Sequence, residues 1–181
     1  MKQGLSRKLL MRGAHVAAVI AGILLAHGGV QRAQAEEPAF LALSGGVYDA
    51  LDDDTAGEFR AEYRFAEADK LWLFTPFLGV MVTTDKAAYA YAGLGLDILL
   101  TERLILTPSL ALGAYHDGDG KNLGHTLEFR TGVELAYRFA DRSRLGLGLH
   151  HISNAGLGNH NSGAESAVLT YAIPTDAIFG R

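Results

Sequence analysis

Between residues 124 and 139, polar and apolar side chains alternate along the chain. Thr126, Glu128, Arg130, Glu134 and Arg138 fall on one side, and Leu127, Phe129, Val133, Leu135, Tyr137 and Phe139 on the other. A strand sends successive side chains to opposite faces, whereas a helix would scatter both sets around its circumference. Residues 58–65 repeat the pattern, with Glu58, Arg60, Glu62 and Arg64 set against Phe59, Ala61, Tyr63 and Phe65. Turn-forming clusters at 52–54, 67–69, 84–86, 101–103, 117–120, 141–143 and 156–163 separate the runs. The spacing therefore predicts eight strands, at 40–49, 57–66, 71–83, 88–100, 104–116, 123–139, 144–154 and 164–173. Several reach the ~10 residues that a tilted strand needs to cross a bilayer. An even count of this kind suits an all-β, eight-stranded antiparallel up-and-down barrel. Pro76 and Pro108 each follow a threonine near the start of a predicted strand. Proline cannot donate to a ladder, so a bulge is expected at both.

The first 35 residues read differently. Lys2, Arg7, Lys8 and Arg12 form a basic head, Val16 to Ala26 is an unbroken apolar run, and Ala33-Gln34-Ala35 offers small residues to a signal peptidase. The expectation is a signal peptide over 1–35, cleaved before Glu36, and a barrel domain over 36–181. The leader carries five basic residues and no acidic ones, so its removal takes the net charge from −4 to −9. An acidic chain without clustered Lys and Arg argues against nucleic acid as a partner. Cysteine is absent, which excludes disulfide staples and any cysteine-based site.

Periodicity leaves open which face is outward. A soluble lipid-carrier barrel would put the charges in water and the apolar residues in its cavity. A membrane barrel would pair the Glu/Arg rows in the lumen and give the apolar rows to lipid. Small residues such as Gly146 and Gly148 on the polar face suit a narrow, filled lumen, so the membrane version is expected.

The seventh predicted strand carries the candidate chemistry. Leu145, Leu147, Leu149, His151 and Ser153 share one face, while Gly146, Gly148, His150, Ile152 and Asn154 share the other. Pairing His151 with Glu165 on the eighth strand also pairs Leu149 with Ala167, Leu147 with Leu169 and Leu145 with Tyr171. One register thus aligns a Ser, a His and a carboxylate above an apolar wall. A serine hydroxyl needs an adjacent base, and a carboxylate on the far imidazole nitrogen orients that base. Spacing alone also admits the ordinary polar rim of a non-enzymatic barrel.

The segment His151-Ile-Ser153-Asn154-Ala-Gly156-Leu157, followed by Asn161-Ser-Gly163-Ala-Glu165-Ser166, resembles the active-site signature of the outer-membrane lipid A 3-O-deacylases (PagL). The resemblance implies an outer-membrane esterase that removes the 3-O-linked acyl chain of lipid A and needs neither metal nor organic cofactor. By position it makes Ser153 the nucleophile, His151 the general base and acid, and Glu165 its orienter. It gives the oxyanion to Asn154 and the backbone around Gly156. The implied partners are lipid A of lipopolysaccharide and the surrounding outer-membrane lipid, with a homodimer left open. With an N-terminus in the periplasm, His151 and Ser153 lie toward the outer leaflet. One departure is the tail 175–181, which places Phe179 third from the end instead of closing the last strand on an aromatic residue.

Other features are read more plainly. His150 faces away from His151, so a lumen or rim position is expected, and His116, His125 and His160 show no metal-ligand spacing, so a surface or rim role is expected. Asp52, Asp53 and Asp54 suggest a solvated outer loop. Trp72, Tyr89 and Tyr91 fit either interfacial girdles or strand packing.

Overall fold

The computed structural model describes residues 37–52 and 55–180; the expected leader, Glu36, Asp53, Asp54 and Arg181 lie outside the described residues. The chain runs β1 (Phe40–Tyr48), β2 (Ala56–Arg64), a 3-10 turn (Glu67–Asp69), β3 (Thr75–Thr83), β4 (Ala88–Gly95), β5 (Ile98–Leu99), β6 (Leu104–His116), β7 (Leu127–Arg138), β8 (Arg144–Ser153), β9 (Ala164–Pro174) and α1 (Thr175–Phe179). Every neighbouring pair is antiparallel, and β1 pairs with both β2 and β9 while β6 pairs with both β4 and β7, so the sheet closes. β4 and β5 share one continuous register on β6, Gly95 opposite Ser109 and Ile98 opposite Leu106. They are two parts of one staves-length strand, and the barrel has eight walls, as the sequence predicts.

The break between β4 and β5 has a single cause. Leu96 N–H donates to the Pro108 carbonyl at 3.0 Å, but Pro108 has no N–H to return. Pro76 behaves alike, accepting from Phe65 N–H at 3.0 Å. The expected bulges are absent. A missing donor deletes one ladder bond without adding a residue, so register runs through both prolines unshifted. Two strand ends also differ from expectation. β3 begins at Thr75 because Leu71 and Phe74 close a tight turn around Trp72, whose φ is 63°. β7 begins at Leu127 because Leu123 is drawn into the core and Lys121 bonds across to Asp49 and Asp52 at 2.8 and 2.5 Å. Burial opposes the charge on Lys121, yet those two carboxylates outweigh it and raise the ammonium's pKa.

Following ladder partners from Phe40 leads through Arg64, Phe77, Gly93, Ala111, Arg130, Ile152 and Ala164, and returns to β1 near Ala50. That stagger is what tilts the strands of a closed barrel. The predicted faces hold throughout. Glu58, Arg60, Glu62, Glu128, Arg130 and Glu134 are buried in the lumen, while Phe59, Val80, Leu112, Leu147 and Leu149 are each more than half exposed. Such an apolar exterior is ruinous in water and suited to lipid, which rules out the soluble carrier.

The lumen is filled. Glu62 accepts from Arg64 and from Tyr91 (2.8 Å) and pairs with Arg130 at 2.9 Å; Arg64 also forks onto Glu134 at 2.9 and 2.8 Å. Arg130 stacks 4.2 Å from the Tyr91 ring centroid, and Tyr89 stacks on Tyr91. Tyr89 and Tyr91 are thus lumen packing and no girdle. Trp72, Tyr63, Tyr137, Phe139 and Tyr171 instead face outward toward the end opposite the candidate site, as an interfacial belt would. Phe179 lies exposed in α1, beyond the last strand.

Candidate active site

The upper ends of β8 and β9 meet in the register that the sequence predicts: His151 opposite Glu165, Leu149 opposite Ala167, Leu147 opposite Leu169 and Leu145 opposite Tyr171. Cross-strand partners on one face stand about 5 Å apart at Cβ, close enough for an imidazole and a carboxylate to meet. They do: His151 Nδ1 lies 3.1 Å from Glu165 Oε1. Both side chains are somewhat under half exposed on the outer surface. A carboxylate on Nδ1 favours the tautomer with its proton there, which leaves Nε2 as the acceptor.

Ser153 stands two residues beyond His151 on the same face, opposite Phe129 of β7, and is half-buried. Two residues of extended chain cover about 7 Å, within the combined reach of a His and a Ser side chain on one face. The structure therefore brings His151 and Glu165 into contact and sets Ser153 beside them. Among the described residues the Ser153 hydroxyl has no hydrogen-bond partner, so it is free to turn. Directly below lies the apolar wall, with Leu149 and Leu147 both over 60% exposed.

The loop joining β8 to β9 is built on Asn154. This residue is fully buried, and its Nδ2 donates to the Leu123 and His160 carbonyls, each at 2.8 Å. Its Oδ1 accepts from Gly156 N–H at 2.8 Å, and its carbonyl accepts from Leu157 N–H. Ala155 and Gly156 both take left-handed backbone angles inside that turn. The oxyanion role expected of Asn154 and Gly156 conflicts with this bonding. Their amide donors are already spent in holding the loop.

Two residues that belong to the quoted signature but received no role from the sequence stand beside the site. Asn161 places its Oδ1 3.1 Å from Asn154 N, the nitrogen of the very peptide bond that Ser153 forms. Gly163 has φ +66°, and a Cβ there would sit 2.8 Å from His151 Cε1 and 3.5 Å from Nε2. The imidazole edge thus rests against a glycine that no other residue could replace without pushing it. On the lumen side His150 lies across Gly132 and Gly148, where added Cβ atoms would collide with its ring. It has no share in the outer cluster. Exposed His160 approaches the Asn122 carbonyl at 3.3 Å, and His125 Nδ1 accepts from Leu127 N–H at 2.9 Å.

With this geometry in place, comparison with known proteins is decisive. The family model for lipid A 3-O-deacylase (PagL) matches residues 45–174, most of the chain and all of the cluster. The chain belongs to the PagL family. Among solved structures, this PagL-family barrel is similar to the crystal structure of the outer membrane enzyme PagL, at 20% identity and TM-score 0.59, covering 75% of this chain and 99% of that one. It is also similar to Neisserial surface protein A (9% identity, 78% and 99% covered, TM-score 0.57) and to a de novo designed transmembrane β-barrel (12%, 77% and 98%, 0.54). At these identities the three likenesses speak for the fold. No curated protein matches the chain. The PagL family and the closed, apolar-sided barrel agree on a bacterial outer-membrane protein.

Proposed function

We propose that this protein is an outer-membrane esterase that hydrolyses the 3-O-linked acyl chain of lipid A through Ser153, His151 and Glu165. The observation that carries the reading is the 3.1 Å contact between His151 and Glu165 on the lipid-facing surface, with Ser153 beside it on the same strand face. Ser153 Oγ attacks the ester carbonyl carbon while its proton passes to His151 Nε2. The tetrahedral intermediate collapses as His151 returns that proton to the departing sugar oxygen. Water activated by the same imidazole then frees the fatty acid from the acyl-serine. Glu165 holds the ring and stabilises the imidazolium. No step calls on a metal or an organic cofactor.

For the oxyanion, the unspent donor is the Asn161 side-chain amide. Its oxygen is fixed on the Ser153–Asn154 peptide, so its NH2 group is held within a few ångströms of the nucleophile's backbone. Donors preorganised around developing negative charge are worth ~3 kcal/mol each in such sites. Export by the 1–35 leader, with cleavage before Glu36, completes the proposal and sets the cluster toward the leaflet that holds lipopolysaccharide. A substrate in that leaflet presents its ester at the barrel wall and need not leave the membrane.

The test is fatty-acid release from lipopolysaccharide by detergent-solubilised protein, followed by mass spectrometry. Ser153→Ala and His151→Ala should each reduce turnover by at least about 10³-fold, and Glu165→Ala by less. Near-normal release by Ser153→Ala would remove the serine mechanism.

A further inference from the structure

An acyl group held on Ser153 needs a second nucleophile, and the surroundings of His151 decide which one arrives. The Nε2 edge of the ring rests on Gly163, where a Cβ would sit 2.8 Å from Cε1 and 3.5 Å from Nε2. The segment leading into Gly163 is a run of exposed polar residues, Asn159, His160, Asn161 and Ser162. Ser162 Oγ donates to the Asn122 carbonyl at 3.0 Å, and His160 Nε2 approaches the same oxygen at 3.3 Å, so the run is pinned against the β6–β7 loop. The two loops also touch backbone to backbone, since a Cβ at Gly158 would lie 2.4 Å from the Gly124 carbonyl. A fixed polar rim thus begins one residue from the glycine that carries the imidazole edge.

On the other side the surroundings change. Leu149, the next residue down the outer face of β8, is 63% exposed, and hydrocarbon against it holds little water. His151 and Glu165 are both open to the outside. The reacting groups therefore stand at a boundary between an apolar wall and a rim suited to hydroxyls. Acylation of Ser153 already requires a sugar hydroxyl at this place, because the oxygen that departs takes its proton from Nε2. Run backwards, the same step delivers a sugar hydroxyl to the acyl-serine with Nε2 as base.

We infer that the protein is also an acyltransferase, passing the acyl group from Ser153 to a sugar hydroxyl of a second lipid at the membrane surface. The inference rests on the esterase reading above. The acceptor's hydroxyl oxygen attacks the acyl-serine carbonyl carbon, and its proton goes to His151 Nε2. The tetrahedral intermediate expels Ser153 Oγ, which takes that proton back. One ester is exchanged for another, and nothing is oxidised or reduced. A headgroup lodged against the rim competes with water through position.

The test uses the folded protein acting on lipopolysaccharide in micelles of dodecyl maltoside, a sugar-headed amphiphile, and of lauryldimethylamine oxide, which has no hydroxyl. Mass spectrometry measures free fatty acid and acylated maltoside. At least about a tenth of the acyl groups released in maltoside micelles should appear as the sugar ester, a share far above the ratio of maltoside to water in the bulk. Free maltose at the same bulk concentration, added to amine oxide micelles, should receive at least about tenfold less, because it does not reside at the surface. Ser153→Ala should form neither product. Fatty acid without sugar ester in the maltoside micelles overturns the transfer while the esterase stands. Equal acylation of free maltose overturns the lipid acceptor, and sugar ester made by Ser153→Ala overturns the acyl-serine route. A wild type that releases no acyl group in either micelle removes the esterase itself, and the transfer with it.

Discussion

At the residue scale the site depends on where one imidazole is held. Glu165 meets it through Nδ1, and Gly163 lies against its Cε1 edge. The left-handed φ at Gly163 adds a second demand for glycine, because a Cβ in that region is strained by about 1–3 kcal/mol. Gly163→Ala should therefore lower kcat by at least about tenfold, through displacement of the ring, while the barrel keeps its heat-modifiable shift. Unaltered kcat in that variant would show that the ring does not need its seat. The same scale shows a limit of sequence reading. Asn154 and Asn161 sit in one loop and are chemically identical, yet one is buried with every donor spent and the other keeps its NH2 group unused. Nothing in their spacing separates those fates. They are decided by contacts with Leu123 and His160, in loops whose path periodicity does not encode.

At the scale of elements, the strands were legible because each is half in lipid and half in the lumen, so burial imposes period two over its whole length. The pairing of β8 with β9 was legible for a sharper reason: a one-residue slip would turn every leucine of the wall inward. The prolines misled because their local rule is right and its consequence smaller than expected, one lost bond apiece with no change of register. The loop between β8 and β9 is held chiefly by the amide of Asn154, which satisfies two carbonyls and one N–H. Removing it leaves buried polar groups unpaired at ~1–3 kcal/mol each. Asn154→Ala should thus expose residues 154–163 to limited proteolysis and abolish most activity without unfolding the strands. Protease resistance equal to wild type would contradict the role given to this residue.

At the scale of the molecule, the division of labour is between a packed interior and a reactive exterior. Arg64, Arg130, Glu62 and Glu134 neutralise one another in a lumen that aromatic rings otherwise fill. The interior is thus held together by paired charges and stacked rings. The proposed chemistry lies on the wall that touches lipid. The most direct test is to treat folded, detergent-solubilised protein with a serine-directed alkyl phosphonate and map the adduct by peptide mass spectrometry. The account predicts a single adduct on Ser153 in wild type, and its loss in His151→Ala although the serine remains. An active enzyme that leaves Ser153 unlabelled, or labelling that persists without His151, would contradict it.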